Sequence, residues 1–312
     1  MLFKQLKRGL MSYLPGLRLM HTMGTGNTIS SRYCYSVWLR HLVMAHNSGL
    51  NDFPLRVAEL GPGDSIGIGL AALLSGSERY FAFDVVRHAD LKRNLHIFDE
   101  LIELFQLTAD IPGEDEFPRI KPCLSSYSFP FDILGESRLK AALEPSRIAN
   151  IRASIIDNNR EDSMISYKVP WYDIHDLDTE KIDMIYSQAV LEHVEELEGT
   201  YRAMHEWLRP DGFMSHQIDF KCHGTADEWN GHWRYSDSLW KLIKGRRPYL
   251  INREPYSTHV MLLLDTGFKV VHEQRSLAAS AMERSSLAER FAGLSDNDLT
   301  TSGVFIQALK SS

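Results

Sequence analysis

The side chains able to do chemistry fall into a few short groups. Glu59-Leu60-Gly61-Pro62-Gly63-Asp64 ends an apolar run and breaks into Gly-x-Gly, so backbone lacking Cβ atoms passes close to whatever the turn holds. A second apolar run, Tyr80-Phe81-Ala82-Phe83, ends on Asp84, about 20 residues further on, where nucleotide-binding βαβ units place the carboxylate that holds ribose hydroxyls. A pyrophosphate ligand would need glycine at position 66 to approach the helix N-terminus, yet Ile66 stands there and Gly67 comes one place late. Glu59 and Asp64 would repel phosphate and attract a ligand bearing an ammonium and a sulfonium.

That charge pattern favours S-adenosylmethionine over NAD as the cofactor. Methyl transfer to a hydroxyl also requires proton removal, and His193 follows the run Ile182-Asp183-Met184-Ile185-Tyr186-Ser187 closely enough to serve. Equally, His193 could start the next helix and pair with Glu196. His216, Asp219, Lys221, His223 and His232 form a second group. On a strand His216 and Asp219 point to opposite faces, so no metal site is expected among them, while Asp219, Lys221 and His223 could converge at the sheet's C-terminal edge. Trp229, Trp233, Arg234 and Tyr235 could stack on a sugar ring or simply pack an inserted segment. Tyr33, Tyr35 and Trp38 could close over a sulfonium or form a docking face. Gly24-Thr25-Gly26-Asn27-Thr28 lacks the Gly-Lys-Ser/Thr ending of a phosphate loop and reads as an ordinary loop.

These groups need strands to deliver them and helices to cover the strands. Apolar spacing predicts helices over 36–46, 66–76, 91–107, 137–150, 196–208, 256–266 and 281–292. Strands are predicted at 56–60, 80–85, 165–169, 182–187, 213–220, 268–271 and 303–309. The alternation describes a doubly wound, mainly parallel α/β sheet. The domain reading is an N-terminal helical segment, 1–50, covering the cleft, and a main domain, 51–312, with insertions at 108–160 and 221–255. The first insertion is far longer than a crossover requires and is read as a lid or acceptor lobe.

With 312 residues, 44% of them hydrophobic, the chain can bury one large core. A net charge of −7 argues against nucleic acid as the main partner. Three widely spaced cysteines suit a reducing cytoplasm, and no apolar run reaches the ~20 residues that span a bilayer. The basic, amphipathic first twenty residues allow either weak peripheral membrane contact at the inner face or docking on the chain's own domain.

The motifs Glu59-Leu60-Gly61-Pro62-Gly63, Phe83-Asp84, Ile182 to Val194 and Leu208-Arg209-Pro210-Asp211-Gly212 resemble, in their order, those of class I S-adenosylmethionine-dependent methyltransferases. The resemblance implies a seven-stranded Rossmann-like sheet with an antiparallel last strand. It also implies Glu59, Gly61 and Gly63 at the methionine part, Asp84 on the ribose, and Ser187 and Gln188 beside the transferred methyl. Trp171 and Tyr172 stand where the family usually has an adenine-binding acid. Text at 216–223, 232–236 and 252–257 is similar to bacterial methyltransferases encoded with polysaccharide-building enzymes. It implies O-methylation of a sugar or glycan-linked acceptor, with Lys221, His232, Trp233, Arg234, Arg253 and Tyr256 binding it and His193, His223 and Asp219 as catalytic candidates. Two other readings stand beside this one: an NAD-dependent oxidoreductase or epimerase, and a noncatalytic S-adenosylmethionine-binding regulatory module.

Overall fold

The computed structural model of the chain describes residues 1–14, 28–171, 177, 181–247, 249–280 and 282–311. Among them, β1 (Arg56–Leu60), β2 (Arg79–Phe83), β3 (Ile165–Lys168), β4 (Ile182–Gln188), β5 (Leu208–Asp219), β6 (Phe268–Leu277) and β7 (Thr301–Lys310) form one sheet. The strand order is β3-β2-β1-β4-β5-β7-β6. Pairs from β3 through β5 are parallel, and β7 runs antiparallel to both β5 and β6. The doubly wound, seven-stranded reading therefore holds, including the antiparallel last strand.

Both faces of the central strands are covered, which is why β1, β2 and β4 are buried nearly throughout and mainly apolar. Val57, Tyr80, Met184 and Tyr186 join one core with α2 (Ser31–Asn47), α3 (Gly67–Leu74) and α4 (Leu91–Gln106). Ala58, Phe81, Phe83 and Ile185 face the opposite core, under α8 (Leu197–Trp207) and α10 (Tyr256–Asp265). Local chemistry fixes where helices begin: the Ser30 side chain caps α2 through the Tyr33 N–H, and Asp90 caps α4 through the Arg93 N–H.

The segment 108–160 is built into this framework. Ile111, Ile120, Phe129 and Leu134 enter the core of α2 to α4. Arg40, fully buried, donates to the carbonyls of Pro112, Ile120 and Pro122. Short helices α5 (Phe131–Leu134) and α6 (Glu136–Ala142) lead into α7 (Pro145–Ile156), which packs on α4 and β3 as the crossover helix into β3.

The second insertion contains α9 (Asp237–Lys244), and α1 (Leu2–Met11) docks on it. A Cβ at Gly9 would lie 1.9 Å from the Leu242 carbonyl oxygen, so the two helices touch through backbone there. Arg247 donates to the Gln5 side-chain amide oxygen at 3.3 Å, while Phe3 and Leu10 stay exposed. Docking on its own domain is thus the observed disposition of α1, and no described helix is long and apolar enough to cross a membrane.

Two expectations need correction. Of the text at 281–292, the described residues 282–292 form only two 3-10 turns, Arg284–Ser286 and Glu289–Phe291, because the apolar spacing serves to pack Phe291 against Trp233. The helix nearby is α11 (Asp296–Thr300), started by the Ser295 and Asp298 capping box. Strand β6 also runs to Leu277, well beyond 271, since β7 offers it a partner along its length.

Candidate active site

The sheet order reverses between β1 and β4, and open α/β sheets bind ligands outside the C-terminal ends of the strands at such a point. Gly61 and Gly63 lie just beyond β1 with φ of +64° and +73°, a conformation that favours glycine. A Cβ on Gly61 would sit 2.7 Å from the Val190 side chain, which follows β4. The Gly61 N–H donates to the Phe83 carbonyl at 2.8 Å, joining the turn to the end of β2. Asp84 follows directly; its carboxylate accepts from the Val85 N–H at 2.7 Å, and the Gly63 N–H also faces it. Burial raises the Asp84 carboxyl above its usual range, and these backbone donors oppose the rise. Thr28 fastens the preceding segment to the turn by accepting the Asp64 N–H at 3.0 Å.

The other residues assigned to the cofactor fall into different surroundings. Glu59 is 2% exposed and accepts the Tyr80 hydroxyl at 2.5 Å and the Tyr186 hydroxyl at 3.3 Å. Burial pushes its carboxyl up to about 8 against those two donors. The Ser187 hydroxyl is buried and hydrogen-bonded to His216 Nδ1 at 2.7 Å, on the α8 side of the sheet. Gln188 turns the other way, to His41 Nε2 at 3.0 Å and to Gln217. Both side chains are thus tied to protein partners. The Trp171 backbone N–H donates to the Asp84 carbonyl at 3.1 Å, and the Trp171 ring meets Phe83 and Trp207 edge-on. Tyr172 and residues 24–27 of the glycine-containing loop lie outside the described residues.

The catalytic candidates do come together. The rings of His193 and His223 meet at 5.1 Å, and His223 Nε2 lies 3.4 Å from Asp219 Oδ2. Lys221 Nζ is 3.3 Å from Asp219 Oδ1. Burial, then the neighbouring His223, lowers His193 to about 4, while Asp219 is held below the usual carboxylate range by His223 and Lys221 against the burial that opposes them. Glu192 is 2% exposed, and neither of its carboxylate oxygens has a hydrogen bond of good geometry. Its carboxyl lies well above the usual range, raised by burial.

The assigned acceptor contacts divide. Lys221 is half exposed at the cleft edge. Trp233 is fully buried, with its indole N–H on the Arg253 carbonyl at 2.9 Å, so it packs the insertion instead of offering a face to a sugar. Arg253 is 3% exposed, bonded to the Tyr235 carbonyl and Asp237 and stacked on Trp240 and Phe291. His232 is 1% exposed beside Trp233. Arg234 pairs with Glu228 at 3.2 Å, and the Tyr256 hydroxyl donates to Glu273 at 2.6 Å.

Residues 148–215 match the family model described as a methyltransferase domain. No curated protein matches the chain. Among solved structures, an S-adenosylmethionine-dependent methyltransferase from Mesorhizobium loti is 14% identical, covering 82% of this chain and 90% of its own, at a TM-score of 0.39. The magnesium protoporphyrin IX methyltransferase from Synechocystis, solved with bound SAH, is 11% identical over 98% and 99%, at 0.41. A sarcosine dimethylglycine methyltransferase structure from Galdieria sulphuraria is 10% identical over 86% and 83%, at 0.43. These likenesses are loose, and the fold rests on the strand order itself.

Residues that the motifs did not reveal complete the surroundings. His41 comes from α2, far off in sequence, to bond Ser215 at 2.7 Å as well as Gln188. Its partners lie on different strands, so only the fold joins them. Glu192 had a local signal, an acid directly before His193, that its neighbour overshadowed.

Proposed function

We propose that the chain is an S-adenosylmethionine-dependent methyltransferase acting on a hydroxyl of a sugar or glycan-linked acceptor. The observation that carries the donor reading is the turn at Gly61 and Gly63, with positive φ, set beside the Asp84 carboxylate at the sheet's switch point. A Cβ on Gly61 would strike the Val190 side chain, which keeps the turn close to the loop after β4, and the Asp84 carboxylate suits ribose hydroxyls. The methyltransferase-domain match over β3 to β5 agrees with it.

When bound, S-adenosylmethionine supplies a methyl group already activated on a sulfonium. The protein's part is then alignment, exclusion of water and proton removal. Gly61, Gly63, Asp84 and Trp171 would hold the donor, with Glu59 fixing Tyr80 and Tyr186 next to it. The backbone after Ser187 and Gln188 would line the methyl. His193, with His223 and Asp219 beside it, would receive the acceptor's proton. Lys221 would meet the acceptor at the open edge.

Calorimetry tests the donor: S-adenosylmethionine should bind, and tight NAD binding without it would overturn the reading. Labelled S-adenosylmethionine offered with nucleotide sugars, free sugars and lipid-linked glycans tests the acceptor. Label transferred to none of these, with the cofactor bound, would favour a regulatory module.

A further inference from the structure

We propose that Glu192, His193 and His223 form a binding site for one divalent first-row transition ion, of the Mn²⁺, Fe²⁺, Co²⁺ or Zn²⁺ kind, facing the acceptor. One ligand atom from each lies within 4.8 Å of the other two. Ligands about 2.1 Å from a shared ion stand roughly 3–3.5 Å apart, so side-chain torsions of modest size would close the set. One carboxylate and two imidazoles with positions left open is a recurrent set for such ions.

Glu192 supplies the second, independent reason. Both its oxygens are buried with no hydrogen bond of good geometry, only the Glu192 and Asp219 backbone N–H groups facing them, and an under-satisfied buried carboxyl is costly unless something in the site completes it. The His193 Nδ1 is likewise buried with no hydrogen bond of good geometry. Asp219 stands 3.4 Å from His223 Nε2, as the outer carboxylate that orients a ligating histidine commonly does. Nearby charge allows the ion, since Lys221 is already paired with Asp219.

The site is assembled from two loops. Glu192 and His193 belong to the 3-10 turn Leu191–His193 after β4, and His223 follows β5 with a φ of +46°. The ion's part in methyl transfer rests on the reading above; its binding does not. Its open positions would take acceptor oxygens and make a bound hydroxyl more acidic. With the ion bound, His193 would act as a ligand and would not receive the proton.

The full chain, treated with chelator, should be titrated with Co²⁺ and read by visible d–d absorption, with Mn²⁺ calorimetry alongside. One ion per chain is expected. Glu192→Gln and His223→Ala should each weaken binding at least tenfold. His96→Ala, which removes a surface His96 and Glu100 pair at 3.5 Å, should leave it unchanged. His223 is exposed, so its variant tests the site even where Glu192→Gln does not fold. No saturable binding, or equal affinity in wild type and His223→Ala, would overturn the proposal. S-adenosylmethionine calorimetry on the same samples separates the two readings: donor bound without any ion overturns the ion site alone, and ion bound without donor upholds it and overturns the donor reading.

Discussion

At the scale of single residues, Asp84 joins sequence and site most directly. It follows an apolar strand, accepts backbone N–H groups from Val85 and Val86, and faces the Gly63 N–H. If it holds ribose hydroxyls, Asp84→Ala should reduce S-adenosylmethionine affinity by about 1–3 kcal/mol, read by calorimetry; unchanged affinity would remove the assignment. The glycines nearby were only half legible. Gly61 was readable as a turn residue, but the reason for Gly69 lies elsewhere: a Cβ there would sit 2.1 Å from the Tyr80 ring, whose hydroxyl bonds Glu59. Nothing local to position 69 announces that contact.

At the scale of elements, α1 shows how one missing side chain sets a docking angle. Gly9 brings the backbones of α1 and α9 together, and Gln5 and Ser12 then bond residues of the insertion. Gly9→Leu should release α1, raising amide hydrogen exchange over 2–11 while the sheet stays protected. Unchanged exchange there would show that the close approach is dispensable. The amphipathic pattern of this helix could not say whether its partner was a membrane or α9, because either surface accepts an apolar stripe. In the first insertion, by contrast, periodicity located helical text near 137–150. That Pro145–Ile156 closes the crossover into β3 depends on contacts with α4 that no local pattern records.

At the scale of the whole molecule, folding hides an unusual set of imidazoles. His41 is lowered to about 4, and His216, His232 and His259 to about 3, in each case chiefly by burial. The unfolded chain would protonate them near 6.5. Because it binds more protons than the folded state between the two values, stability is present above about pH 6.5 and lost as pH falls toward the folded values. Each histidine should cost about 2 kcal/mol at pH 5. Glu59 acts in the opposite sense: with its folded value raised to about 8 from 4.5, it loses stability as pH rises through that window. His193, lowered to about 4, acts with these four, while Glu192 and Asp84, raised by burial, act with Glu59; the imidazoles outnumber the carboxyls, so the urea midpoint should fall between pH 7 and pH 5, measured by tryptophan fluorescence. A flat profile would show that these imidazoles are solvated. Glu59→Gln should make the fall steeper.

By itself, the sequence determined the alternation of strands and helices, the glycine turn and its acid, and so the kind of ligand the sheet could hold. Those features depend on side-chain period and backbone freedom, which are written locally. Only the tertiary structure decided which polar side chains face the cleft. It turned Ser187 to His216 and Gln188 to His41, buried Trp233 and Arg253 in the insertion, and brought His193 against His223. Such choices are made by partners distant in the chain, and a buried polar group takes whichever partner the fold places beside it.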